Sequence, residues 1–245
     1  VLHYDLASWH AGDIGAISAD HEFRHHQLSR IFGQDPTGTG KKVHSYIYRD
    51  RAQKGRLLGI ERTLVAKLWN SEIHIQYAGL GDPLLLHELA HVYSAPYGSG
   101  ILKISSVAAV FPNMGLLEGY AEAVVGYRGE LTLHTWSAAV RRMDLAEDLR
   151  DIIGPWGFYR APGPRAYTLT GSFSKFLLDE YGVEKWLAAY TRGDFEAAYS
   201  ESLDTLVTRW ESFVDALPLK PHELAYAEFA FSKPSIFQKR CARHI

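Results

Sequence analysis

Apolar and polar residues alternate over the first part of the chain and recur at helical spacing over the rest. At 1–6, Leu2, Tyr4 and Leu6 alternate with His3 and Asp5, the period-two pattern of a half-buried strand. A helix is expected over 12–32, where Ile14, Ile17, Leu28, Ile31 and Phe32 mark one face. Alternation returns at 42–48, 62–67 and 72–77, so the first eighty residues predict a small mixed sheet with a helix on it. From Gly81-Asp82-Pro83 the pattern becomes helical: Asp82 is suited to an N-cap and Pro83 to the first helical position. Further helices are expected at 114–127, 132–153, 170–181, 183–191 and 202–217, with one or two beyond Pro221. The prediction is an α+β fold, with a mixed α/β N-terminal lobe over 1–80 and a helical lobe over 81–245.

Composition adds limits. A chain of 245 residues, 47% of them hydrophobic, can bury a full core as one two-lobed domain or two small ones. A net charge of -2 gives no electrostatic footprint for nucleic acid or an anionic membrane surface. The longest apolar stretch, 101–117, is interrupted by Lys103, Ser105, Ser106, Pro112 and Asn113, which argues against a membrane span. Cys241 is the one cysteine, so neither a disulfide framework nor a cysteine-based zinc site is expected. The chain starts at Val1 with no charged-then-apolar leader, which leaves open whether a signal peptide was removed, placing the protein outside the cytoplasm, or never existed. The residues from Lys239 to Ile245 look like the middle of a helix, as in a piece of a longer protein.

Two segments invite functional readings. The run 33–42 gathers glycines and lysines between a helix and a strand, but Asp35 and Lys42 stand where a phosphate loop needs Gly and Ser or Thr. A solvated turn is expected there. The Gly/Pro-rich segment 154–165 carries Trp156, Phe158 and Tyr159; it is expected to be a loop that either lines a substrate cleft or is pinned by packing of its aromatics.

The candidate chemistry lies in His87-Glu88-Leu89-Ala90-His91. On a helix, positions i and i+4 share a face, so both imidazoles can address one ion, while Glu88 points to a metal-bound water. The five-residue pattern alone is weak, because the chain holds it twice: His21-Glu22-Phe23-Arg24-His25 also matches. The flanks decide between them. Leu84, Leu85 and Leu86 precede the later copy and Val92 and Tyr93 follow it, as a buried zinc helix requires. The earlier copy has Arg24 between its histidines and His26-Gln27 after them, and is expected to be a solvated helix face.

A catalytic zinc takes three protein ligands and leaves one position open. Between His91 and Glu118 lie 26 residues, enough for a loop and a return helix that supplies the third. Glu122 is one turn beyond Glu118, amid apolar neighbours, and is suited to accept the outer N–H of a ligand histidine.

At these residues the chain resembles the gluzincin zinc peptidases, the thermolysin-like and aminopeptidase N-like enzymes, and most closely the bacterial peptidase MA-like domains. The resemblance spans roughly residues 1–190. It rests on the 87–91 segment, on Glu118-Gly119-Tyr120-Ala121-Glu122, and on Tyr167-Thr168-Leu169-Thr170-Gly171-Ser172-Phe173 followed by Glu180-Tyr181-Gly182. It implies a thermolysin-like zincin with the zinc between a mixed β-sheet lobe and a helical lobe, and a tyrosine, here Tyr167, that stabilises the tetrahedral intermediate. The Gly-x-Met-Glu-Asn segment by which aminopeptidases hold a free amino terminus has no counterpart at 73–81, so that specificity is not implied. The ligand spacing is somewhat longer than usual in those enzymes, implying an inserted loop near 97–100.

The expected function is zinc-dependent hydrolysis of a peptide or protein substrate, with Zn2+ on His87, His91 and Glu118 and with Glu88 as general base. Two alternatives stand beside it. One is a non-catalytic interaction module on a peptidase scaffold, against which the intact Glu88 argues; the other is a zinc hydrolase of a non-peptide amide or ester.

Overall fold

The computed structural model describes residues 1–33, 42–61, 65–107 and 111–232. Residues 34–41 of the turn expected at 33–42, the first residues of the strand expected at 62–67, and Cys241 with the C-terminal stretch lie outside the described residues. The fold is mixed α+β, mostly helical with small sheets. Contacts divide the chain into two compact units, Val1–Lys103 and Ile104–Ile245.

The first unit runs β1 (Leu2–Tyr4), α1 (Ala11–Phe32), β2 (His44–Tyr48), α2 (Arg51–Leu58), β3 (Val65–Lys67), β4 (Glu72–Gln76) and α3 (Pro83–Ser94). Its sheet has the order β1-β2-β4-β3; β1, β2 and β4 are parallel and β3 runs antiparallel to β4. Register separates the two faces. Ser45 pairs with Ile73 and Ile47 with Ile75, all buried, while His3, Tyr46 and His74 stand opposite one another on the other face. α3 packs on β3 and β4, and α1 packs on α3. This is why the division falls at Lys103 and not near residue 80, as the change of pattern suggested: the helix with His87 and His91 is bound to the sheet that precedes it. α2 was not expected, since Arg51–Leu58 is polar and contains Gly55. Its ends nevertheless carry the signals, with the Asp50 side chain accepting from Gln53 N at 2.7 Å and Gly59 closing the helix at φ 76°.

The second unit opens with the short antiparallel pair β5 (Ser106–Val107) and β6 (Phe111–Pro112), then α4 (Met114–Val125). A hairpin of β7 (Tyr127–Arg128) and β8 (Leu131–Thr132) leads into α5 (Leu133–Arg142), α6 (Leu149–Ile153), α7 (Gly157–Arg160), α8 (Gly163–Tyr181), α9 (Val183–Arg192), α10 (Phe195–Tyr199), α11 (Leu203–Asp215) and α12 (Pro221–Ser232). α4 and α8 form its centre and approach closely. A Cβ on Gly119 would lie 2.8 Å from the Thr170 carbonyl oxygen, and one on Gly171 would lie 2.7 Å from Glu122 Cβ. Around this crossing Tyr120 stacks on Trp186 at 4.4 Å, and Phe173 meets Trp210 edge to face.

Two helical expectations are corrected here. The single helix expected at 132–153 is two, because Asp144 takes a left-handed conformation at φ 55° and Asp148 caps a new start by accepting from Arg150 N. The helix expected at 170–181 begins seven residues earlier, at Gly163, because Pro164 sits in its first turn, where a missing N–H costs nothing. Segment 154–165 is therefore a short helix and a helix start rather than one long loop. No described helix is long and apolar enough to cross a membrane.

Candidate metal centre

The site is built on α3. Asp82 caps it through Leu84 N at 2.9 Å, Pro83 opens it, and every residue from Leu84 to Ser94 is buried. Helices buried on all sides belong to cores, and this one places ionisable side chains there. His87, Glu88 and His91 are 3%, 5% and 5% exposed.

Spacing by one helical turn brings the two imidazoles together. Their Nε2 atoms are 3.2 Å apart and their rings meet edge to face at 89°. Two nitrogens each bound about 2.0–2.1 Å from one tetrahedral zinc would lie about 3.3 Å apart, so the pair fits that ion. Glu88, the residue between them, is a carboxylate in the same buried helix.

The other predicted residues belong to the second unit. Glu118 projects from α4 and is half-buried. Glu122, one turn further, is fully buried, with Arg128 Nη2 3.6 Å from its carboxylate. Gly119 between them is dictated by the α8 backbone, which leaves no room for a side chain. Tyr167, ahead of the helix expected at 170–181, lies instead inside the second turn of α8; it is half-buried and edge-on to Phe158 at 5.1 Å. The neighbouring segment lines an open depression of about 500 Å³ with Arg150, Trp156 and Arg160 at its wall.

The second histidine pair departs from expectation. His21 and Arg24 are buried while Glu22, Phe23 and His26 are exposed, so the earlier copy is solvated on one side only. Charge misled the sequence reading: Arg24 is neutralised by Asp20, with Nε 3.3 Å from Oδ1, and its guanidinium also donates to Gln27 at 2.7 Å. His21 Nδ1 donates to the Ile17 carbonyl at 2.8 Å, and burial holds its pKa below the ordinary value.

One polar cluster was not anticipated. His3, Tyr46 and His74 stack across three strands at 4.4 and 4.6 Å, beside the Lys67–Glu72 ion pair, and border a cavity of about 630 Å³ that Leu57 and Leu58 also line. Tyr48 Oη hydrogen-bonds His74 Nδ1 at 2.9 Å. The signal was present in the alternation, since His44, Tyr46 and Tyr48, like Glu72, His74 and Gln76, occupy every second position of their strands.

No protein-family model, curated protein or solved structure matches this chain.

Proposed function

We propose that the chain is a zinc-dependent peptidase of thermolysin-like, gluzincin type. The observation that carries the proposal is the convergence of His87 and His91 at the separation that tetrahedral zinc demands, with Glu88 between them in a buried helix. His87, His91 and Glu118 are the proposed donor set, two imidazoles and a carboxylate, which suits zinc that retains an open position. Zinc held there would acidify a water molecule and polarise the scissile carbonyl.

The rest falls to the chain's own residues. Glu88 takes a proton from the attacking water at its carboxylate and delivers it to the leaving amine nitrogen, so that the acid and base steps use one group. Glu122 accepts from the outer N–H of a ligand histidine and fixes its tautomer. Tyr167 donates its phenol hydrogen to the developing oxyanion, and the substrate is a peptide or protein.

Digestion of a peptide library tests the proposal. Cleavage should stop when a chelator is added and return with zinc. A chain that carries zinc but cuts no peptide would overturn the peptidase assignment and leave only the metal.

A further inference from the structure

The buried polar face of α1 lies against the elements that lead into and out of the ligand-bearing segment. Asp20, buried on that face, accepts from Tyr77 Oη at 3.2 Å and from Gly81 N at 3.1 Å. It thereby ties down the turn that leads from β4 into α3, where Gly79 at φ 146° and Gly81 at φ 81° leave a backbone few other residues could adopt. Arg24, one turn along, faces the same carboxylate. Tyr77 feels the contact: burial and the Asp20 charge push its pKa up to about 12. At the other end of α3, His25 Nδ1 and Tyr93 Oη share a hydrogen bond of 2.7 Å, two residues beyond His91. The Tyr93 ring is held in place by Phe32, 5.8 Å away.

We propose that Asp20 and His25 are positioning residues for the proposed zinc site: they fix the entry and the exit of α3, so that the helix on which the His87 and His91 nitrogens converge is held in place before any metal arrives. The inference rests on the zinc reading given above. It also assigns a role to the earlier histidine pair, whose second member anchors the ligand helix instead of binding an ion. A metal site whose ligands are already converged loses less conformational entropy on binding, so the anchors appear as metal affinity.

The test uses the whole chain, with zinc affinity read by competition against a chromophoric chelator and amide hydrogen exchange measured on the metal-free protein. Tyr93→Phe keeps the packing against Phe32 and deletes only the hydroxyl that meets His25. Asp20→Asn keeps the size of the side chain and removes its charge. Each should weaken zinc binding about five- to tenfold, the weight of one net hydrogen bond, and speed exchange across 84–94 while leaving 44–48 and 72–76 unchanged. His25→Gln, which can still meet the Tyr93 hydroxyl, should bind zinc within about twofold of the parent. Parental affinity and parental exchange in both Tyr93→Phe and Asp20→Asn would overturn the positioning role. Loosened exchange with zinc affinity unchanged would also overturn it, by showing that the anchors serve the fold alone. A parent chain that binds no zinc would instead remove the metal reading, and this inference with it.

Discussion

Glu88 and the two histidines around it could be proposed as a site from sequence because their spacing is local: three residues on adjacent turns of one helix. If the carboxylate serves the water as proposed, replacing Glu88 by Gln should leave zinc bound and should lower kcat by about 10²–10⁴-fold. Parental turnover by a zinc-loaded Glu88→Gln protein would contradict its role as base. Tyr167→Phe separates two roles for a side chain that already packs on Phe158. An oxyanion donor lost there should cost about 10²–10³-fold in kcat at near-constant KM, whereas a purely packed tyrosine would leave kcat unchanged. A residue the sequence did not mark, His134, contributes to the pH dependence of stability. Trp210 Nε1 donates to Ser172 Oγ at 2.9 Å, and that hydroxyl shares a hydrogen bond of 2.8 Å with His134 Nδ1. Burial first, and then Lys175, opposed by Asp179, lower the His134 pKa from 6.5 to about 4. Unfolded, this histidine protonates near its ordinary value; folded, it resists until about 4. Its contribution to stability is thus complete above pH 6.5 and is lost as pH falls through 4, at no more than about 1.4 kcal/mol per pH unit and less where solvent reaches the ring. Urea unfolding between pH 7 and pH 4 should show the decline in the parent and a flatter curve in His134→Gln; equal slopes would refute the assignment.

Helices and strands were predicted well where period and caps agreed. α4, α9 and α11 lie within about two residues of their expected limits and α3 starts where expected, because Asp82, Asn113 and Ser202 each accept from a first-turn N–H and Gly126 and Gly193 take the left-handed conformation that ends two of them. Misses arose where one signal outweighed another. Gly and Pro at 162–164 suggested a loop but begin α8, and Asp144 turned an apparently continuous helix into α5 and α6. The α4–α8 crossing was not legible at all, since periodicity cannot show which helix a glycine faces. It makes a test at this scale. Gly119→Ala would put a methyl 2.8 Å from the Thr170 carbonyl and should destabilise the protein by about 1–3 kcal/mol, whereas Gly15→Ala, with nothing within 4 Å in α1, should stabilise it by about 0.5–1 kcal/mol. Denaturant midpoints of the two variants decide, and a neutral Gly119→Ala would mean that the crossing is looser than described.

Across the whole molecule, the α+β class and the sequence of sheet then helices were legible because the hydrophobic period changes from two to 3.6 near residue 80. The unit boundary was not, since it depends on α3 packing back on β3 and β4, a tertiary preference with no local signature. Burial of His21 and Arg24 was missed for the same reason: Arg24 looks solvated until Asp20 is seen to neutralise it. The copy at 87–91 is buried throughout, whereas in the earlier copy only His21 and Arg24 are buried and Glu22 and Phe23 are exposed; imidazole geometry separates the two further. His87 and His91 place their Nε2 atoms 3.2 Å apart, whereas His21 and His25 direct their Nδ1 atoms to a carbonyl and a phenol. The measurement that tests this choice most directly is the zinc content of three purified proteins, the parent, His87→Ala and His21→Ala. About one zinc per chain in the parent and in His21→Ala, and none in His87→Ala, is the predicted result; zinc retained by His87→Ala and lost from His21→Ala would contradict the account.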